Sequence, residues 1–270
     1  MVGVAISKRI EWIDNCKGIA IFLVILGHTM RTDLSHVYIY GFHMPLFFFL
    51  SGLVCDEKKF TWNSFLKSRF NTLVLPYIVF YLFTWLYWLL VERSFRPLNM
   101  EWWQPLIGLI YGAQWHEYMS VNGILWFLPC LFTTEVLFYA VKIIPYVWMQ
   151  WTAQIILACF GLLFKENLPW CLNIAFVALP FFYAGNYCRV ELLVQNDTKR
   201  HTSIIAIISF VTFAFYLLLS FLIRNHVMMA MNEYGNKGLF FLLAFLGIVG
   251  FVGICKLINI KTNWGGANWA

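Results

Sequence analysis

The sequence predicts an all-α fold, a polytopic bundle of about eight transmembrane helices. Hydrophobic residues make up 61% of the 270-residue chain and charged residues only 12%, whereas about 25% of a soluble domain is charged. The apolar residues form blocks of about 17 to 22, long enough to cross the hydrocarbon core of a bilayer. Continuous apolar runs lack the alternation of barrel strands, so each block is predicted to be a helix that satisfies its own backbone.

Charged or polar stretches separate eight such blocks, which we interpret as the spans. They cover residues 18–33, 37–55, 72–91, 123–141, 148–164, 171–188, 203–223 and 238–256. A further apolar segment, Pro105–Tyr111, is too short to span and is predicted to be re-entrant or interfacial. We treat residues 1–270 as a single integral membrane domain.

The basic residues predict the orientation in the membrane. With the N-terminus placed in the cytoplasm, thirteen of the nineteen lysines and arginines fall on the cytoplasmic side, as the positive-inside rule requires. We therefore expect a multi-pass protein of the cytoplasmic membrane, surrounded by lipid, with both termini in the cytoplasm. The net charge of +6 does not indicate nucleic-acid binding, because the basic residues form no continuous stripe. No metal is predicted, since no metal-binding motif is present.

The first predicted span follows charged residues, Asp14 and Lys17, and carries a histidine, His28, towards its other end. Lys17 and His28 are eleven residues apart, so on a helix they share one face and lie roughly 16 Å apart along the axis. If Lys17 marks the cytoplasmic boundary, His28 lies past the middle of the bilayer. Ionisable side chains at that depth usually face a bundle interior or a cavity. We therefore expect this imidazole to face a bundle interior or a functional cavity and burial to keep it neutral.

The second span carries the run Phe42–Gly52, in which a second histidine precedes a proline by two residues. Pro45 cannot donate a hydrogen bond to the carbonyl of Gly41, so it is predicted to open the helix beside His43. The connection to the first span is short, which makes the two spans antiparallel neighbours. His43 is therefore expected to approach His28.

These two spans resemble the acyltransferase 3 family of membrane O-acyltransferases, especially its fucose-acetylase-like branch. The first span of that family has a basic residue, ten intervening residues and a histidine, which is the spacing of Lys17 and His28. The run Phe42–Gly52 is similar to the second span of the family.

Two later segments extend the resemblance. Lys67–Tyr77 resembles the basic segment that precedes a Pro-Tyr helix start in the family, and Leu125–Pro129 resembles its Trp-Phe-Leu motif. The last helices of the family and their terminal histidine motif are not recognisable, so we expect the chain to lack them.

The resemblance implies transfer of an acyl group, usually acetyl, from acyl-CoA to a hydroxyl of a cell-surface sugar or glycan precursor. His28 is interpreted as the catalytic base, and a histidyl acyl intermediate is the alternative. Lys17 either contributes to catalysis and binds the acyl-CoA donor or anchors the helix in the cytoplasm. His43 either orients His28 or the acceptor, or makes a hydrogen bond at the helix break.

Other residues are candidates for binding. Lys67 and Arg69 are predicted to bind the phosphates of CoA, although any cytoplasmic connection carries such charges. Glu135 lies within a span and either pairs with a basic group, binds a sugar hydroxyl or bonds a neighbouring helix. Trp126 is a candidate stacking surface for the sugar or a packing residue. Asp14 is a substrate-binding candidate that could instead pair with Lys17.

Two rival functions remain open at this point. Buried histidine and glutamate side chains also suit a proton-coupled transporter or a lipid-linked glycan carrier. Internal symmetry would favour that rival, and the halves of the sequence show no convincing repeat. The other rival is an inactive relative that only binds partners.

The predicted orientation is testable by cysteine labelling in a chain whose own cysteines are replaced. Lys58→Cys should react with an impermeant maleimide only when the cytoplasmic face is open, since its connection is predicted to be cytoplasmic. Arg93→Cys, on a connection predicted to be external, is the matched control and should react in intact cells. Labelling of Lys58→Cys from outside would overturn the topology.

Overall fold

A computed structural model of the chain describes residues 10–30, 33–95, 100–114, 119–193 and 199–266. Within these ranges the fold is α-helical and contains no β-sheet. The described α-helices are α1 (Glu11–Met30), α2 (Asp33–Tyr38), α3 (His43–Val54), α4 (Trp62–Arg69), α5 (Leu75–Leu90), α6 (Gln104–Tyr111), α7 (Phe127–Lys142), α8 (Val147–Gly161), α9 (Leu172–Tyr187), α10 (Arg189–Leu193), α11 (Lys199–Ile223) and α12 (Lys237–Gly266).

The predicted bundle of apolar helices is confirmed. In the described residues, five helical stretches are long and apolar enough to cross a membrane; these are Glu11–Met30, Trp62–Leu90, Gly123–Lys142, Ile204–Ile223 and Lys237–Ile258. The remaining three predicted blocks form the shorter helices α3, α8 and α9. The short apolar segment Pro105–Tyr111 lies in α6. The hydroxyls of Tyr77 and Tyr81 in α5 donate hydrogen bonds to backbone carbonyls of α6.

The predicted second span differs from the structure at its start. The chain forms α2, then turns at residues 39–42, and α3 begins at His43. Pro45 therefore lies in the first turn of a helix, where no backbone N–H is needed. The prediction that it opens a continuous helix was wrong, because the turn already ends the preceding helix.

The helix that contains the predicted third span begins ten residues before that span. The helix runs without interruption from Trp62 to Leu90, and a π-helical turn at Phe70–Val74 joins α4 to α5. Pro76 has no N–H for the carbonyl of Thr72, which loosens the ordinary hydrogen-bond ladder. The Leu75 N–H instead donates to the carbonyl of Phe70, and the added residue in this turn rotates α5 relative to α4.

The helices form two compact units. The first contains α1, α2, the start of α3 and α10 to α12. In it α11 and α12 pack along each other, and α1 packs on α12. Gly250 of α12 faces the backbone of Phe213 in α11; a Cβ atom there would lie 2.7 Å from the Phe213 nitrogen. Small residues thus let these helices approach closely, as is common where lipid surrounds a bundle.

The second unit contains the end of α3 and α4 to α9. Its centre is α9, which is buried on all sides from Asn173 to Tyr183 and packs against α7 and α8. A helix that is hydrophobic all round belongs at the centre of a bundle. Gly52 of α3 lies directly against the Phe182 backbone of α9, where any Cβ atom would overlap the carbonyl.

The Gly52 contact gives a stability prediction. Gly52→Ala should lower the unfolding temperature in detergent, because the methyl group has to displace backbone and such overpacking costs about 1–3 kcal/mol. Gly18→Ala is the matched control, since a Cβ atom at Gly18 meets nothing within 4 Å. Differential scanning fluorimetry of both variants checks the prediction. Equal unfolding temperatures for the two would contradict the described packing of α3 on α9.

Candidate active site

The stripe of α1 that carries Lys17 and His28 lies at the border of the buried face of the helix. Lys17 and Val24 are half-buried, and Ile21 and His28 are exposed. The residues that α1 buries are Trp12, Ile13, Cys16, Ala20 and Gly27. They lie roughly a quarter turn away from the stripe. His28 itself is exposed, because it lies outside the face through which α1 packs.

Tyr40, in the turn between α2 and α3, contacts the rings of both histidines. Its ring centroid lies 6.1 Å from that of His28 and 5.1 Å from that of His43. Both distances are within the range of aromatic contacts. The predicted approach of His43 to His28 is therefore present, with Tyr40 in contact with each.

Gly27 allows Tyr40 to reach this position. A Cβ atom at Gly27 would lie 2.6 Å from Cε1 of Tyr40, closer than any side chain permits. The glycine that precedes His28 in the sequence thus makes room for the ring that His28 contacts.

His43 is buried and oriented by the backbone. Its Nδ1 lies 2.8 Å from the carbonyl oxygen of Ile39, which can only accept a hydrogen bond. The Nδ1 atom therefore carries a proton, and in the neutral ring Nε2 keeps its lone pair. This is the hydrogen bond at the helix start that the sequence allowed, and it also gives the ring the tautomer of an oriented base.

The other end of α1 is polar and cationic. Asp14 is half-buried in the first turn of the helix, where the helix dipole favours a carboxylate. Lys256 of α12 lies over the Trp12 ring, with Nζ 5.3 Å from its centroid. Lys17 and Lys256 thus supply two cations at this end of the first unit.

In the second unit, Arg69 forms an ion pair with Glu135. Nε of Arg69 lies 2.9 Å from Oε2 of Glu135, although the N–H does not point along the line of a hydrogen bond. The glutamate side chain is only 5% exposed. The guanidinium also lies 5.8 Å from the ring centre of Phe60 and 5.3 Å from that of Phe65. Glu135 therefore has the basic partner that an intramembrane carboxylate needs.

Cys55 connects this ion pair to a second polar cluster, formed by Asn186, Glu57 and Lys142. Nη2 of Arg69 lies 3.9 Å from Sγ of Cys55, and the Asn186 amide donates to the Cys55 carbonyl and to Glu57. Lys142 lies 3.7 Å from the same Glu57 carboxylate. These contacts connect the end of α3 with α4, α7 and α9.

The remaining predicted residues differ in accessibility. Lys67 is exposed on α4 and is available to an anion. Trp126 ends a 3₁₀-helix, Gly123–Trp126, and its side chain is 6% exposed. Its carbonyl accepts a weak hydrogen bond from the Cys171 thiol. The indole is thus packed in the second unit.

The family comparison agrees with the motif segment. A family model described as an acyltransferase domain, that of acyltransferase 3, matches residues 10–269. The chain belongs to the acyltransferase 3 family. No curated protein and no solved structure matches it. The match continues past the last motif, Leu125–Pro129, to the later helices. It supports an acyltransferase with several membrane helices.

The residues predicted for the acyltransferase site fall into two groups. In the first unit, His28 and His43 lie near Tyr40 at one end of α1, and Asp14 and Lys17 lie at its other end. The second unit pairs Arg69 with Glu135. Sequence reasoning missed Tyr40. A signal was available in the glycine that directly precedes His28, because a glycine inside an apolar helix indicates a close approach.

The ion pair of this acyltransferase gives a second stability prediction. Arg69→Ala should destabilise the folded state by about 3–5 kcal/mol, because it leaves a buried carboxylate without its cation. The double variant Arg69→Met with Glu135→Leu should recover most of that loss, since it removes both charges. Unfolding in a detergent micelle, followed by tryptophan fluorescence, measures both. An Arg69→Ala chain as stable as the parent would contradict the pairing.

Proposed function

We propose that this acyltransferase moves an acetyl group from acetyl-CoA to a hydroxyl of a cell-surface sugar or its glycan precursor. The observation that carries the proposal is the pair of histidines that meet Tyr40 in the motif segment. The family match supports the reaction class. The acetyl donor and the sugar acceptor follow from the resemblance of residues 14–52 to the fucose-acetylase-like branch.

His28 is the base in this proposal. A sugar alcohol is a poor nucleophile near neutral pH, and a neutral imidazole removes its proton as the oxygen attacks the thioester carbonyl. The new C–O bond forms, the C–S bond breaks, and the imidazolium returns its proton to the CoA thiolate. The exposed position of His28 on α1 gives the acceptor direct access to the ring.

His43 supports the base. Its Nδ1–H is held by the Ile39 carbonyl, so its Nε2 is an acceptor of fixed direction. A buried, oriented imidazole beside the reacting group binds and orients the hydroxyl of the acceptor.

The cationic residues bind the donor in this proposal. Lys17 lies roughly 16 Å along α1 from His28 and attracts the negatively charged phosphates of CoA. In the second unit, Lys67 is exposed, whereas Arg69 is already paired with Glu135. Glu135 holds Arg69 in their ion pair. Asp14 lies in the first turn of α1, one turn before Lys17. Trp126 is buried and packs within the second unit. In this proposal the donor enters from the cytoplasm, the side on which both termini are predicted to lie.

The test compares glycan O-acetylation in cells that express the parent chain, His28→Ala or Lys17→Ala. Mass spectrometry of the released glycans should show a loss of acetylation of about a hundredfold or more for His28→Ala, because general-base catalysis contributes about 10²–10⁴-fold. Lys17→Ala should retain partial activity with a raised KM for acetyl-CoA.

Protein levels are matched by immunoblot, and Asn15→Ala serves as a control on the exposed side of α1. Unchanged acetylation by His28→Ala at equal protein level would remove the proposed mechanism. An absence of acetylation above cells without the chain would remove the proposed function.

A further inference from the structure

The ring of Tyr40 contacts both histidines of the proposed site. His28 and His43 are on different helices, and each has its ring centroid within 6.1 Å of the Tyr40 centroid. The Tyr40 ring contacts the exposed His28 imidazole, with the two ring planes at 53° to each other. The direction of that imidazole therefore depends on where the tyrosine ring lies.

The position of Tyr40 is itself fixed by its neighbours. Its ring lies against the bare Cα of Gly27 on α1. The turn that carries it is held from α11, since the Tyr216 hydroxyl donates to the Tyr38 carbonyl over 2.7 Å. On the other side, Phe42 packs against Gly247 of α12, where a Cβ atom would lie 2.7 Å from Cβ of Phe42. The turn is thus clamped by three helices of one unit.

The same turn also orients His43. The Ile39 carbonyl that accepts the Nδ1–H of His43 precedes Tyr40 directly in the chain. One short turn therefore fixes the tautomer of the buried imidazole and supplies the ring against which the exposed imidazole rests.

We propose that Tyr40 is a positioning residue, whose ring sets the direction of the His28 imidazole relative to His43. The inference rests on the proposed function, because it names how that site is held in a reactive geometry. Both contacts are between rings, so the aromatic ring carries the effect. A misplaced base lowers the rate of the chemical step and leaves binding of the donor at a separate place unchanged.

The first experiment measures transfer of radiolabelled acetyl from acetyl-CoA to the polysaccharide fraction of membranes that contain the full chain. Tyr40→Leu should lower kcat about tenfold to a hundredfold, the loss expected for a misplaced catalytic group, and change the KM for acetyl-CoA less than about twofold. Tyr40→Phe keeps the ring and should restore kcat to within about twofold of the parent. Equal losses in the two variants, or no loss in Tyr40→Leu, would overturn the inference.

A second variant displaces the ring without changing Tyr40. Gly27→Ala places a methyl group against Cε1 of Tyr40 and should lower kcat in the same way as Tyr40→Leu. Gly18→Ala is the matched control on the same helix, because its Cβ atom meets nothing within 4 Å, and it should keep the parent kcat. A Gly27→Ala chain with the parent kcat would overturn the inference even if Tyr40→Leu does not fold.

A chemical readout separates this inference from the proposed function. Diethyl pyrocarbonate modifies exposed imidazoles, and peptide mass spectrometry measures its rate at His28. Removal of the covering ring in Tyr40→Leu should raise that rate severalfold, whereas Tyr40→Phe should keep it. If the parent membranes transfer no acetyl label, the proposed function fails, and this rate alone decides the inference. An unchanged rate in Tyr40→Leu would show that the ring does not control His28.

Discussion

A glycine that faces an aromatic ring or a backbone carbonyl is the contact on which the packing of both units depends. Hydrocarbon offers helices no hydrophobic driving force toward each other, so van der Waals contact between closely placed backbones must stabilise the bundle. Gly52 gives α3 its place on Phe182, and Gly250 gives α12 its place on Phe213. A methyl group at either position would push the two backbones apart and weaken the packing around the contact.

The proposed site also depends on contacts between glycines and aromatic rings. Gly27 admits the Tyr40 ring to the surface of α1, and the ring then meets the neighbouring His28. Gly247 admits Phe42 in the same turn. A base in an enzyme must hold one direction during the reaction, and a ring packed on bare backbone is a rigid support for it. The packing of the first unit and the geometry of the proposed catalysis therefore depend on the same few contacts.

The second unit shows how charge is placed in an apolar bundle. Arg69 directly precedes the π-helical turn, and α7 packs against that turn with Glu135 facing the guanidinium. The pair gives a cation to a buried carboxylate whose exposure is 5%, and the rings of Phe60 and Phe65 add cation–π attraction. Because an unpaired charge in such surroundings is costly, this pair ties α4 to α7.

The amino-acid sequence by itself determined the all-α membrane class, the approximate place of the apolar helices and the register of Lys17 with His28. Apolar length and helical period are local properties, so they can be derived from neighbouring residues. The sequence did not determine the turn before His43, the continuous helix from Trp62 or the exposed position of His28. Only the tertiary structure decided these, together with the contacts of Tyr40, because they depend on which glycines let distant helices touch, and sequence distance carries no information about that.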